Sequence, residues 1–298
     1  IDPTTGRIAE GRQWSRGLHQ FIELKEDLPL SDAFQPMARI TYQRFFPRYL
    51  QLGGTSATLR EARSELLSLY GLAVVSVPLH RPSQRLTSAT VIYPDADLKW
   101  AMVVRQVHHE CARNRPVLIA TESVADSETL SCHLDAANIP HVVLNARQDA
   151  EEAKIVAQAG KAGAVTVATN MAGRGTDIRI DANVAAHGGL HVISCQLNGT
   201  RRIERQLHGR CARQGKPGSV ETILSLHEPL FRQQLPPQLY RWLLRTFTSR
   251  RAPLPTWVSK ILPAIARQRH ERMQRSIRSH LRRSDAQNRR LLGVGGRE

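Results

Sequence analysis

From about residue 73 the chain alternates between two hydrophobic rhythms. Short apolar runs rich in β-branched residues stand at Val74-Val75-Ser76-Val77, Val117-Leu118-Ile119-Ala120, His141-Val142-Val143-Leu144, Val165-Thr166-Val167-Ala168, Leu190-His191-Val192-Ile193 and Glu221-Thr222-Ile223-Leu224. Between them lie longer stretches with helical spacing, near 97–113, 123–137, 150–160 and 200–213. Runs of this kind fit strands buried on both faces, and their alternation with helices predicts an α/β fold with a parallel sheet covered on both sides.

The flanking regions read differently. Before residue 73, helices are predicted over Trp14–Lys25 and Met37–Leu50. A small-residue loop, Gly53-Gly54-Thr55-Ser56-Ala57-Thr58, follows, then a further helix through Leu66, Leu67 and Tyr70. After Glu228 the strand pattern stops. Pro229, Pro236-Pro237, Pro253 and Pro255 predict a linker, and a basic helix is expected over roughly 256–283. Gly293-Val294-Gly295-Gly296 reads as a frayed end. No internal repeat is visible.

Length and composition narrow the class. With 298 residues, 41% of them apolar, the chain can build one large or two modest cores. The first residue is Ile1, which suggests a piece of a longer protein. Lys+Arg outnumber Asp+Glu by 42 to 26, a formal charge of +16. Such a balance favours nucleic acid, anionic lipid or acidic partners, or reflects an acidic part lying elsewhere. Much of the excess falls late, where arginines recur at 267, 269, 272, 275, 278, 282, 283, 289, 290 and 297. Cys111, Cys132, Cys195 and Cys211 form no C-x-x-C pair. Zinc and a disulfide framework are therefore not expected, and a reducing cytoplasm is the simpler compartment. No apolar run approaches the length of a membrane span.

Three segments carry candidate chemistry. Ala168-Thr169-Asn170-Met171-Ala172-Gly173-Arg174-Gly175-Thr176-Asp177-Ile178 directly follows a predicted strand, and ligands of open α/β sheets bind at strand ends. Arg174 can fork onto phosphate oxygens, Gly173 and Gly175 on either side of it let the backbone turn tightly and come close, and Asp177 can accept from a ribose hydroxyl or hold an arginine. The plainer reading is a glycine-rich turn with a surface ion pair. The second segment, Gln206-Leu207-His208-Gly209-Arg210-Cys211-Ala212-Arg213-Gln214-Gly215, places 206, 210 and 213 on one face if it is helical throughout. Ile203 and Leu207 would then pack on the sheet, and Arg210 and Arg213 would stand side by side to stabilise charge on a phosphoryl group. A solvated basic face is the competing reading. The third segment, Thr55-Ser56-Ala57-Thr58, is a small hydroxyl loop whose interest lies in its place just before the parallel domain.

Taken in order, these segments resemble superfamily-2 helicase-type motors, and more closely the SecA family of preprotein translocase ATPases. The wording of Thr166 to Ile178 carries the resemblance. So do Gly188-Gly189-Leu190-His191-Val192-Ile193, Arg201-Arg202-Ile203-Glu204, Gly209-Arg210, Thr5-Gly6-Arg7, Gly11-Arg12-Gln13-Trp14-Ser15 and Ile155-Val156-Ala157-Gln158-Ala159-Gly160.

The resemblance implies a RecA-like sheet that closes over ATP and Mg²⁺ held mainly by a first nucleotide-binding domain. Residues 1–72 would be the C-terminal remnant of that first domain, 73–228 the second RecA-like motor domain, and 229–298 a linker and basic helical scaffold segment. It further implies that Arg210 and Arg213 act as catalytic arginine fingers. Arg174, Gly175, Thr176, Asp177 and Gln206 would line the nucleotide, and Thr55, Ser56, Ala57 and Thr58 would form a coupling loop. No metal ligand is expected in this chain. The partners implied are a SecYEG-type channel and unfolded preprotein, with anionic lipid and a homodimer as further options and nucleic acid ranked below them. The location implied is the cytoplasm and the inner face of the bacterial plasma membrane.

The chain also departs from the family. It contains no G-x-x-x-x-G-K-S/T motif and no D-E-A-D-like acidic pair, so alone it is expected to be inactive as an ATPase. His208 stands where the family usually has arginine, and Lys216 where it has an acid. A helicase-like RNA or DNA motor and a non-catalytic remnant remain the alternatives.

Overall fold

The computed structural model describes residues 13–14, 17–32, 40–144, 155–169, 177–249 and 251–291, with side chains as far as 284. The N-terminal part holds α1 (Leu18–Lys25), α2 (Tyr42–Phe45) and α3 (Arg63–Tyr70), with short 3₁₀ turns at Phe46–Arg48 and Arg60–Ala62. Then come β1 (Gln84–Thr87), β2 (Val91–Tyr93), α4 (Ala96–Ala112), β3 (Val117–Thr121), α5 (Val124–Ala136), β4 (Val142–Leu144) and β5 (Val165–Thr169). They are followed by α6 (Ala182–Ala186), β6 (Leu190–Ser194), α7 (Arg201–His208) and β7 (Pro217–Ser225). Three helices close the described chain: α8 (Pro229–Gln234), α9 (Pro237–Phe247) and α10 (Thr256–Leu291).

The seven strands form one parallel sheet in the order β1-β7-β6-β3-β5-β4, with β2 also pairing β7. Two apolar layers sandwich it. On one face Trp100, Val103 and Val107 of α4 and Leu130 and Leu134 of α5 pack on Val117, Ile119, Val165, Val167 and Ile193. On the other face Val156, Ile178, Ile180, Val184, Leu207 and Cys211 pack on Leu118, Ala168, Leu190, Val192 and Val220. The expected parallel sheet with helices on both sides is what the structure contains.

Four local expectations are corrected. Val74–Val77 forms no strand; Val75, Val77 and Leu79 are extended and exposed. β-Branched residues tolerate extended backbone anywhere, but a strand needs an edge, and this flank of β7 is taken by β1 and β2. The proline-rich stretch after Glu228 is not a linker. Pro229 and Pro237 each open a helix at a position where the missing N–H costs nothing. Of the helix expected over Met37–Leu50, the described residues show only α2 and the 3₁₀ turn at Phe46–Arg48. The helix expected over 200–213 ends at His208, for reasons given below. The segment 293–296 lies outside the described residues.

A third apolar cluster seats the C-terminal helices. Phe231, Leu243, Phe247, Val258, Leu262 and Ala266 pack with Ile92, Leu224 and Leu226, and Leu254 N–H donates to the Ile92 carbonyl at 2.8 Å. The first part of α10 is therefore anchored on the sheet domain, while Met273, Ile277 and Leu281 further along are exposed. Among the described residues no helix is long and apolar enough to cross a membrane.

One buried arginine locks the start of the β6–β7 pair. Arg115 donates to Glu110 Oε2 (2.6 Å), Gly189 O (3.1 Å), Gly188 O (2.9 Å) and Ser219 Oγ (2.6 Å). Gly189 has φ +70°, and a Cβ there would sit 2.0 Å from the Pro217 carbonyl oxygen, so the close approach of the two strands requires glycine. Arg115→Met should destabilise the protein by about 3 kcal/mol, because it strands a buried carboxylate and two carbonyls. Urea unfolding followed by circular dichroism measures this, and a loss under about 1 kcal/mol would contradict the role.

Candidate nucleotide site

Asp177 and Arg213 come together because of what lies beneath them. The segment after β5 returns along the sheet through Ile178 and Ile180, which bury their side chains in the same layer as Leu207 and Cys211. Gly160 allows this path, since a Cβ at that position would meet the Arg179 carbonyl oxygen at 1.9 Å. Lys216 Nζ donates to the Ile180 carbonyl at 2.6 Å and fixes the segment from the other side. Asp177 is thereby brought to the turn after α7. Its Oδ1 accepts from Arg213 Nη1 at 2.6 Å.

Arg213 is further held by its Nε, which donates to the Gly209 carbonyl at 2.7 Å. Its ion pair with Asp177 is about 40% exposed on each side, open enough to meet a ligand. Arg210 and Arg213 do not continue α7. The Thr200 hydroxyl caps the helix at its start, accepting from Ile203 N–H. Beyond His208 the chain turns, with Ala212 (φ 55°) and Gln214 (φ 57°) in the left-handed region. The one-face arrangement expected for 206, 210 and 213 is thus replaced by a helix carrying Gln206 and a turn carrying Arg210 and Arg213. Cys211 still reaches the same sheet layer as Leu207 from within this turn. Arg174, Gly175 and Thr176 lie outside the described residues.

His208 now has a physical account. It is mostly buried, and burial lowers its pKa, with the neighbouring Arg85 and Arg267 adding to the lowering against Glu204. An arginine at this position would place a third positive charge close to Arg85 and Arg267. Arg85 from β1 donates to the His208 carbonyl at 3.2 Å, holding the C-terminal end of α7. Burial pushes the Cys211 thiol up to about 11, consistent with a packing residue rather than a nucleophile.

The Thr55–Thr58 loop closes on itself. Thr58 N–H donates to Ser56 Oγ at 3.3 Å, and Thr58 is buried. Just beyond it Glu61 pairs with Arg205 of α7, so the loop and the arginine-bearing element are tied together. Gln206 lines a cleft of about 590 Å³ with Glu61, Glu65, Tyr70, Arg202 and His270. Asp177 and Arg213 meet at the turn after α7, whereas Gln206 lines a cleft whose walls include neither of them. Sequence reasoning missed Glu61, Arg85, Arg205 and Arg267, whose partners are far away along the chain.

The SecA P-loop domain model matches residues 82–187 and 181–247, and the SecA DEAD-like domain model matches 4–67. The chain belongs to the SecA family. Protein translocase subunit SecA 2 of Nitrosospira multiformis is 49% identical to it over 231 residues, which are 78% of this chain and 35% of the relative. Protein translocase subunit SecA 3 of Magnetococcus marinus is 42% identical over 304 residues, covering 99% of this chain and 45% of that protein. The chain thus spans between about a third and a half of the length of these SecA relatives. Among solved structures, the E. coli DEAD-box protein SrmB aligns over 51% of this chain and 83% of its own, at 18% identity and a TM-score of 0.40.

A carboxyl at the opposite rim of this SecA-family domain has a displaced proton affinity. Glu122 follows β3, and burial raises its pKa from 4.5 to about 7, helped by Glu228 and Asp126 and opposed by Lys99. Glu228 is itself committed to Lys99 at 2.8 Å and to Ser225 N–H at 3.2 Å. A raised carboxyl pKa favours the protonated folded state, so its stabilising effect is complete below pH 4.5 and is lost as pH climbs through about 7. Thermal melts should therefore show stability falling between pH 5 and 8 by on the order of 1 kcal/mol on this account. Glu122→Gln should flatten that slope; an identical slope in the variant would refute the assignment.

Proposed function

We propose that this chain is the arginine-supplying half of the nucleotide cleft in an ATP-driven preprotein translocation motor. The carrying observation is the contact of Asp177 with Arg213 on the turn after α7, in a chain of the SecA family. In this reading residues 73–228 are the second motor domain. Residues 1–72 end the first, and 229–298 begin a helical scaffold.

The donor set suits a nucleotide. Asp177 can take a ribose hydroxyl, and the guanidinium groups of Arg210 and Arg213 match phosphate oxygens. A guanidinium carries five N–H donors. Anchoring Arg213 through Gly209 O and Asp177 therefore still allows it to fork onto a γ-phosphoryl group. The phosphate loop and the Mg²⁺ ligands would be supplied by the first domain, since this sequence has no G-x-x-x-x-G-K-S/T motif. The ion would neutralise charge on the β- and γ-phosphates. Closing the cleft brings Arg210 and Arg213 to that charge, and opening releases it. The preprotein and a SecYEG-type channel at the inner face of the plasma membrane would be the load and the track.

Arg210→Ala and Arg213→Ala in the full-length protein should each lower the ATPase kcat by on the order of a hundredfold, with KM for ATP within about threefold. Steady-state hydrolysis assays test this, and wild-type turnover in both variants would overturn the finger role. Hydrolysis by the full-length protein should rise on adding preprotein and channel. A rise with RNA instead, steeply salt-dependent, would replace the translocase by a nucleic-acid motor. The 298-residue chain alone should show no hydrolysis above background.

A further inference from the structure

Three ion pairs close a ring around the cleft that Gln206 lines. Glu61, in the 3₁₀ turn after the Thr55–Thr58 loop, pairs with Arg205 of α7. Glu65, in the first turn of α3, receives two parallel N–H bonds from Arg278 of α10, at 2.7 and 3.0 Å. Glu204, beside Arg205 on α7, accepts from Arg267 of α10 at 2.7 Å, and Arg267 also donates to the Asn198 carbonyl. The segment 60–70, helix α7 and helix α10 are each joined to the other two.

We infer that Glu61 and Arg205 are a positioning pair that passes movement of the Thr55–Thr58 loop to the turn bearing Arg210 and Arg213. The inference rests on the cleft reading proposed above and adds residues which that reading does not use. Two features argue for a mechanical role rather than incidental surface pairing. An isolated exposed ion pair holds little, whereas these pairs form a partly buried network with one bidentate member. In addition, Glu61 Oε2 is buried without a hydrogen-bond partner among the described residues. An orphaned carboxylate oxygen is costly, and stability alone would be better served by an uncharged side chain.

The geometry also sets direction. Arg205 and the finger turn lie on one short helix and its exit, with the His208 carbonyl pinned by Arg85 and Glu204 pinned by Arg267. A pull on Glu61 therefore acts on α7 at Arg205, just before the point where the chain leaves the helix for the turn bearing Arg210 and Arg213. Neither Glu61 nor Arg205 touches the nucleotide in this account. Their loss should slow hydrolysis without weakening ATP binding.

The test uses the full-length protein with Glu61→Gln, Arg205→Gln, and the swap Glu61→Arg with Arg205→Glu. Each single change should lower kcat by about tenfold with KM for ATP within about twofold, and the swap should restore kcat to within about threefold. Hydrogen–deuterium exchange of amides 201–213, read without nucleotide, should accelerate in the single variants and recover in the swap. Wild-type kcat in the single variants, or a swap that fails to restore either readout, overturns the inference. If these variants behave as wild type while Arg213→Ala is inactive, the cleft reading stands and the coupling falls. If the unmodified protein hydrolyses no ATP, the cleft reading fails. The exchange data then decide the pair alone, and unchanged exchange in Glu61→Gln refutes it.

Discussion

The site depends on a hydrophobic contact. Ile178, Ile180, Leu207 and Cys211 share one face of the sheet, and every polar arrangement above them follows from that shared burial. Asp177 is placed by the isoleucines after it, and Arg213 by the thiol before it. Burying four such side chains is worth several kcal/mol, while an ion pair as exposed as Asp177–Arg213 is worth about 1 kcal/mol or less. The packing therefore positions the ion pair, and the ion pair refines an arrangement already made. This hierarchy leaves the arginine free to exchange partners at little cost, as the finger role proposed for it would require.

Buried polar groups do a different job in the same domain. Arg115 satisfies four acceptors at the N-terminal edge of β6 and β7, and Lys99 with Glu228 does the same near the C-terminal ends of β2 and β7. Each joins elements distant in sequence at one end of the sheet. Such groups are expensive to desolvate and costly to leave half-paired. They fix strand register rather than add much stability, and register here decides where the loops after β5 and β6 emerge.

How much was legible follows from which forces leave a local trace. The central strands are buried on both faces, so they appear as unbroken apolar runs, and β3, β5, β6 and β7 fall where those runs lie. β1 is exposed along its whole length and reads Gln84-Arg85-Leu86-Thr87, so no hydrophobic pattern marks it. β2 is a three-residue apolar run, Val91-Ile92-Tyr93, that the strand reading passes over. Val74–Val77 has strand-forming residues but no edge to join, because pairing is a property of the neighbour. Gln206, Arg210 and Arg213 keep helical spacing past the point where the chain turns, so spacing alone overran the end of α7. The loop wording before Asp177 could be read from order and composition. The Glu61–Arg205 link could not, because six of the seven strands lie between its partners along the chain.

The basic charge of the chain also looks different once its partners are known. The late arginines suggested one cationic strip, but α10 divides them by face. Arg267 and Arg278 are half-buried, each paired with a glutamate of another element, and Glu271 and Gln274 lie between them along the same cleft. Arg275 and Arg282 are exposed but lie along the pockets beside α3, and Arg269, Arg272 and Arg283 are exposed outside them. The helix thus spends part of its charge internally, holding α3 and α7. The outward arginines are those a lipid or acidic surface could meet, and such a contact would pull on the same helix that carries Arg267 and Arg278.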